Sequence, residues 1–169
     1  MTLAPFSKKS ALRHRYRKSL PPFPREIWYD GNKIMFYQVG RCMQLSNSTW
    51  KQAQEYFAQR DLVILPVGSL ENHGSHLCLG TDAKVPQYLA DQLETRLQAA
   101  FAPVMPFGCA DHHTDFPGTV SIGTDGLYLV MSRVVQCLYQ AGGRHFVFLN
   151  GHGGNDSALS QVGLEMSQK

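Results

Sequence analysis

The chain contains 169 residues, which is enough for one domain with a proper hydrophobic core. Its composition is that of a globular protein, with 43% hydrophobic residues, and this argues against a disordered or low-complexity chain. The net charge is +3, and no apolar run approaches the roughly 20 residues of a membrane helix, so we expect no membrane association.

The basic charge is concentrated at the start of the chain. Residues 1–25 contain seven basic residues and no acidic one, whereas the rest contains nine bases and thirteen acids. We expect a flexible basic arm over residues 1–25 and a single domain over residues 26–169. The arm has no aromatic platform or nucleic-acid motif, so a solvated tail or an arm packed on an acidic neighbouring subunit is expected rather than nucleic-acid binding. The start also lacks the apolar core of a secretory signal, which predicts a cytoplasmic protein.

Predicted strands and helices alternate after a proline-rich linker at residues 21–24. Residues 27–45 are expected to form a hairpin or an irregular apron around the turn Asp30-Gly31-Asn32. Hydrophobic patterning then predicts helices over residues 46–60, 83–100, 127–140 and 156–168, and strands over residues 62–67, 101–106 and 146–149. This alternation predicts an α/β fold with a mostly parallel sheet and helices on both faces, a three-layer α/β/α arrangement.

The four cysteines show no CxxC spacing. In a cytosolic chain this predicts reduced, mostly buried thiols rather than a disulfide frame. Cys78 lies in a polar loop, where it could be a softer metal ligand or an oxidation-sensitive neighbour of a site.

A polar, glycine-rich loop follows the apolar strand predicted over residues 62–67. It contains the metal-ligand candidates Glu71, His73, His76 and Asp82. Carboxylate and imidazole groups are ligands that divalent metals prefer, and residues 71 and 73 would point to the same side if the strand geometry persisted. The alternative is that these are ordinary polar loop residues or helix caps.

Two more loops with histidines follow predicted strands. One contains His112 and His113, and the other, Asn150-Gly151-His152-Gly153-Gly154-Asn155, contains His152. Because all three loops leave the same end of the predicted sheet, we treat Glu71, His73, Asp82, His113 and His152 as one constellation. Two other interpretations stay open: a phosphate cradle at the third loop, and a surface metal site at His112-His113.

Three segments carry a family resemblance, namely LPVGSLENHGSHLCLGTD, HTDFPGT and LNGHGGN. In this order they resemble the signature segments of the creatininase (creatinine amidohydrolase) family. The resemblance implies a creatininase-like fold and a hydrolase that cleaves a C–N bond, possibly of a cyclic amide, in a small molecule through a metal-bound hydroxide. It also implies two divalent ions, zinc or manganese, with Glu71 and His152 on one, His73 on the other and Asp82 bridging them. The resemblance leaves His76 outside the metal shell. His113, beside Phe116-Pro117-Gly118, is predicted as a catalytic residue that faces the substrate or supports a ligand. The alternative for His113 is a structural role in capping its own loop. A homo-oligomer, possibly a hexamer, is implied as well.

The sequence departs from the family pattern in the third loop and beyond it. Creatininase has a glutamate ligand where this chain has Gly154, and relatives with the GHGGN form take the carboxylate from a later segment that is absent before Lys169. The chain is therefore expected to be incomplete at its C-terminus, to need a companion chain, or to hold the second metal weakly. The alternative function is a non-catalytic or truncated metal-binding subunit whose site a partner completes.

Overall fold

The computed structural model describes residues 25–29 and 34–38, for the backbone alone, and residues 42–168. The arm predicted over residues 1–25, apart from Arg25, and the turn predicted at residues 30–32 lie outside the described residues. Contacts divide the chain into two compact units, residues 1–41 and 42–169. In the first unit, β1 (Arg25–Tyr29) pairs antiparallel with β2 (Ile34–Gln38), which confirms the hairpin.

The described part of the second unit, residues 42–168, contains four α-helices and four strands. In chain order they are β3 (Met43–Gln44), α1 (Trp50–Phe57), β4 (Leu62–Val67), α2 (Thr81–Glu94), β5 (Ala100–Phe101), α3 (Gly123–Ala141), β6 (His145–Asn150) and α4 (Asp156–Met166). None of the helices in the described part of the chain is long and apolar enough to cross a membrane.

The sheet of the second unit has the strand order β3-β5-β4-β6, and each neighbouring pair is parallel. The register of β4 and β6 pairs Leu62 with His145 at one end and Val67 with Asn150 at the other. The two strands therefore end level with each other. The loops that follow them leave the same edge of the sheet, as the alternating pattern predicts.

Side chains of β4 alternate between two hydrophobic clusters. Val63, Leu65 and Val67 pack in a cluster with α1, α3 and α4, whereas Ile64 packs in a second cluster with α2. Helices therefore cover both faces of the sheet. The predicted three-layer α/β/α arrangement is confirmed.

The helix predicted over residues 83–100 is wrong at its C-terminal end, because α2 ends at Glu94. Ala100 instead pairs with Met43 and Val63 in the sheet and is fully buried. Alanine favours helix locally, but the two ladders of the parallel sheet decide its conformation. The following strand is correspondingly short, and Met105 of the predicted strand makes only an isolated bridge with Val67.

The other helices differ from prediction at their ends. α1 starts at Trp50, because Thr49 makes a capping box with Gln52; the predicted caps at residues 46–48 precede it. α3 begins four residues earlier than predicted, at Gly123, and α4 ends at Met166. Burial of the thiols was also predicted wrongly in part: all four cysteines are free, but Cys78 and Cys137 are exposed.

Candidate metal centre

Three loops at the carboxyl end of the parallel strands bring the predicted site residues together. Glu71 and His73 follow β4, Asp82 lies in the first turn of α2, and His152 follows β6. Because β4 and β6 are parallel neighbours that end level, the loops after them lie side by side. The fold therefore explains why residues so distant in sequence share one site.

The carboxylate of Asp82 lies between two histidines. Its Oδ1 atom is 2.9 Å from His73 Nε2, and its Oδ2 atom is 2.9 Å from His152 Nδ1. Asp82 lies in the first turn of α2, where the positive end of the helix dipole attracts negative charge. One carboxylate thus presents one oxygen to each imidazole, as a bridging metal ligand would.

Glu71 forms the buried wall of the same cluster. Its Oε2 atom is 3.2 Å from His152 Nε2 and accepts a hydrogen bond of 3.3 Å from the Ser69 hydroxyl. His152 Nε2 also lies 3.0 Å from the carbonyl oxygen of Cys109, which belongs to the loop after β5. The side chains of Glu71 and His152 are only 7% and 8% exposed. Burial of a carboxylate at this depth demands a positive partner.

The ring of His73 is held by the backbone of Glu71, two residues earlier. Its Nδ1 atom is 3.1 Å from the carbonyl oxygen of Glu71, and this hydrogen bond is the main cause that raises the pKa of His73. The negative charge of Asp82 raises that pKa further, while desolvation opposes it. With Nδ1 donating to the carbonyl, Nε2 is directed at Asp82, the arrangement typical of a metal-binding histidine.

The donor set fits a divalent ion. Glu71, His73 and Asp82 each offer one ligand atom, and these atoms lie within 4.8 Å of one another. Carboxylate oxygen and imidazole nitrogen suit zinc and manganese, and the buried Glu71 and the partly buried Asp82 supply the negative charge that such ions require. His152 touches both carboxylates and extends this group.

The loop after β5 places its two histidines differently. His113 lies in a short 3₁₀ turn, Asp111–His113, and its Nδ1 atom is buried without a hydrogen-bond partner. The exposed neighbour His112 lies over His152, with ring centroids 6.4 Å apart and planes inclined by 8°. The ring of His113 is next to that of His112, at 4.1 Å. The predicted catalytic His113 is thus connected to His152 through the ring of His112.

His76 and Cys78 lie on the exposed part of the first loop. The Cys78 thiol contacts Thr81 Oγ1 at 3.6 Å and Lys84 Nζ at 3.4 Å. His76 packs over Gly74, which has a positive φ of 72°. Neither residue belongs to the group of ligand atoms formed by Glu71, His73 and Asp82.

Sequence reasoning missed two asparagines of the third loop. Asn150 accepts a hydrogen bond from the backbone N–H of His152 and donates to its carbonyl oxygen. Asn155 is fully buried and bonds to all three loops. Its position directly before α4 suggests an ordinary N-cap, but its side chain makes no capping bond.

Residues 46–169 match the family model described as creatinine amidohydrolase, the creatininase family. The chain belongs to this family. Creatininase relatives include the mycofactocin precursor peptide peptidase of Mycobacterium tuberculosis, 37% identical over 60% of this chain and 45% of the relative. The creatinine amidohydrolase of Pseudomonas putida is 32% identical over 68% of this chain and 46% of the relative. The chain spans about half the length of these relatives.

The fold agrees with solved creatininase structures. A creatininase structure named with Mn superposes with a TM-score of 0.70 at 26% identity, over 75% of this chain and 52% of that chain. A variant creatininase named as a Zn-Zn type superposes with a TM-score of 0.69 at 25% identity, over 76% of this chain and 52% of that chain.

Gly154, where creatininase has a glutamate, packs against the site. A Cβ atom there would collide with the Cys109 carbonyl oxygen and would lie 2.5 Å from His152 Nε2. A side chain at this position therefore requires His152 or the Cys109 loop to move. The position of His152 in this structure therefore requires a residue without a side chain at position 154.

The alternative interpretation of this loop was a phosphate-binding site at the N-terminus of α4. Asp156 disfavours phosphate binding there, since it adds a negative charge to the first turn of α4.

Proposed function

We propose that this chain contributes Glu71, His73, Asp82 and His152 to a binuclear divalent-metal centre that hydrolyses a C–N amide bond in a small molecule. The observation that carries the proposal is the Asp82 carboxylate, with one oxygen against His73 and the other against His152. An isolated structural ion pair needs only one such contact. Two contacts from the two oxygens of a partly buried carboxylate are typical of a bridging ligand.

The proposed ligands would divide into two groups about Asp82. Glu71 and His152 would hold one ion, and His73 the other. Zinc or manganese is proposed, since solved relatives are named with Mn and with Zn-Zn. Such ions, when bound, polarise an amide carbonyl and lower the pKa of a coordinated water.

The chain's own groups orient these ligands. Ser69 donates to Glu71, and the Glu71 carbonyl oxygen fixes the ring of His73. His113 is proposed to face the substrate, because its buried Nδ1 atom lacks a partner that a bound molecule or water could provide. An imidazole that faces the substrate can give a proton to the leaving amine.

The names of the relatives suggest a broad class of substrate for this chain. The matched proteins are named as a creatinine amidohydrolase, a mycofactocin precursor peptide peptidase and, in Thermotoga maritima, a 3-dehydro-scyllo-inosose hydrolase. We propose a small amide as substrate, a cytoplasmic location and a homo-oligomer such as a hexamer. Exposed apolar side chains on α2, α3 and α4, such as Tyr88, Leu129 and Leu164, support an assembly.

The alternative is a non-catalytic or truncated metal-binding subunit whose site a partner chain completes. Gly154 favours it, because the glutamate ligand of creatininase is missing at this position. Under this alternative the chain binds one ion or none and shows no turnover alone.

Metal content and turnover separate the two functions. Elemental analysis after loading with zinc or manganese should give two ions per chain, together with hydrolysis of creatinine, a lactam, a formylated amine or a short peptide. Asp82→Asn should abolish both. Asp61→Asn is the matched control. Asp61 contacts His145 at 3.1 Å in an exposed pair at the amino ends of β4 and β6, whereas the candidate centre lies at their carboxyl ends. One ion or none, without turnover, would support the alternative.

A further inference from the structure

The side chain of Asn155 joins the three loops that carry the candidate centre. Its Nδ2 atom donates to the carbonyl oxygen of Gly68 at 3.0 Å and to Asn150 Oδ1 at 3.1 Å. Its Oδ1 atom accepts a hydrogen bond from the backbone N–H of Cys109 at 2.9 Å. One amide group therefore contacts the loops after β4, β5 and β6.

Each residue that Asn155 contacts is linked to a proposed ligand by a hydrogen bond of its own or of its neighbour. Gly68 precedes Ser69, whose hydroxyl donates to Glu71. The carbonyl oxygen of Cys109 lies 3.0 Å from His152 Nε2.

Asn150 binds both backbone groups of His152, accepting from its N–H at 3.2 Å and donating to its carbonyl oxygen at 2.8 Å. All three paths from Asn155 thus end at the pair Glu71 and His152.

The surroundings of Asn155 leave it little freedom. It is fully buried, and its amide uses both donors and its acceptor. A Cβ atom at Gly108 would collide with Asn155 Oδ1, so the glycine at that position makes room for the amide. A buried polar group with all its partners fixes one arrangement of the backbone around it.

We propose that Asn155 is a positioning residue of the metal centre, which sets the distance between Glu71 and His152 by tying together the loops after β4, β5 and β6. This inference depends on the proposed function, because the distance matters only if the two side chains share an ion. A purely structural asparagine would stabilise the fold without affecting ion affinity.

Two substitutions test this role. Asn155→Asp keeps the acceptor for the Cys109 N–H but places a carboxylate oxygen against the Gly68 carbonyl oxygen. Asn155→Ser replaces the amide with a shorter side chain that cannot make all three hydrogen bonds, and it adds no bulk. Tyr56→Phe is the control, because Tyr56 is also buried and its hydroxyl donates to the Leu62 carbonyl oxygen at 2.8 Å, at the amino end of β4.

The first readout is affinity for zinc and manganese, measured by competition with a chromophoric chelator. Both Asn155 variants should bind about 10–100-fold more weakly than the wild type, as removal of supporting hydrogen bonds does at other metal sites. Tyr56→Phe should lower the melting temperature but stay within about twofold of wild-type affinity, since it is distant from the ligands. Wild-type affinity in either folded Asn155 variant would overturn the proposal.

Hydrogen exchange is the second readout and needs only the wild type if both variants fail to fold. The amides of Cys109 and His152 should exchange through one common opening, and zinc should slow both to the same extent. Slowing of His152 alone would overturn the proposal. If the wild type binds neither ion, the proposed function fails. Exchange at the Cys109 and His152 amides in Asn155→Ser then tests the contact between the loops alone: faster exchange at both amides is expected if Asn155 ties the loops together.

Discussion

The imidazole rings of His112 and His152 lie parallel, with centroids 6.4 Å apart. His152 is buried between two carboxylates, whereas His112 is exposed at the surface of the loop after β5. The loop after β5 therefore reaches the candidate centre through His112, and His113 is next to His112 in that loop.

His113→Ala should lower kcat by about 10²–10⁴-fold if its imidazole transfers a proton to the leaving group. Metal content should not change, because His113 is outside the group of ligand atoms. His112→Ala is the matched control and should reduce kcat less, since the exposed ring shows no unpaired buried atom. Steady-state kinetics with metal analysis check both. Full turnover in His113→Ala would rule out the catalytic role.

Gly151→Ala should destabilise the protein by about 1–3 kcal/mol, because the added methyl group would overlap the Asp82 carbonyl oxygen and approach Pro86 Cδ at 2.7 Å. Gly153→Ala, two residues on, meets nothing within 4 Å and should change stability by no more than about 0.5 kcal/mol. Urea denaturation measures both variants. Equal stabilities would show that the third loop does not pack on α2 as described.

Gly163→Ala should stabilise the protein by about 0.5–1 kcal/mol. Gly163 lies inside α4, and a Cβ atom there meets nothing within 4 Å. Alanine restricts the unfolded chain more than glycine does, without strain in a helix. A lower melting temperature in this variant would mean that α4 is packed differently at this point.

Cys78 should react with iodoacetamide faster than an ordinary thiol near neutral pH. Hydrogen bonds from Thr81 and Lys84 lower the pKa of Cys78, so more of it is thiolate. Lys84→Gln should slow this labelling and leave that of the exposed Cys137 unchanged, which peptide mass spectrometry can follow. No change at Cys78 would mean that Lys84 does not stabilise the thiolate.

The parts of the fold that depend on local pattern could be predicted from the sequence. The apolar run of β4 and the polar loop after it locate Glu71, His73 and Asp82 correctly at the carboxyl end of a strand. The end of α2 could not be predicted, because Ala100 leaves the helix only through pairing with Met43 and Val63.

The exposure of apolar residues on the helices could not be predicted from the sequence either. Trp50 and Tyr88 follow the helical period but are 71% and 63% exposed. Periodicity predicts which side of a helix is apolar, but it does not predict whether another element covers that side. The role of Asn155 depends on three partners from distant loops, and no local signal distinguishes it from an N-cap.

The central claim is that Glu71, His73, Asp82 and His152 share a pair of divalent ions. Anomalous diffraction from crystals grown with zinc or manganese, recorded on both sides of the metal absorption edge, tests it most directly. We predict two peaks, both at about 2.0–2.2 Å from an oxygen of Asp82, one of them also bound by Glu71 and His152 and the other by His73. Anomalous peaks that lie away from all four side chains, or a fully metal-loaded crystal without a peak at Asp82, would contradict this account.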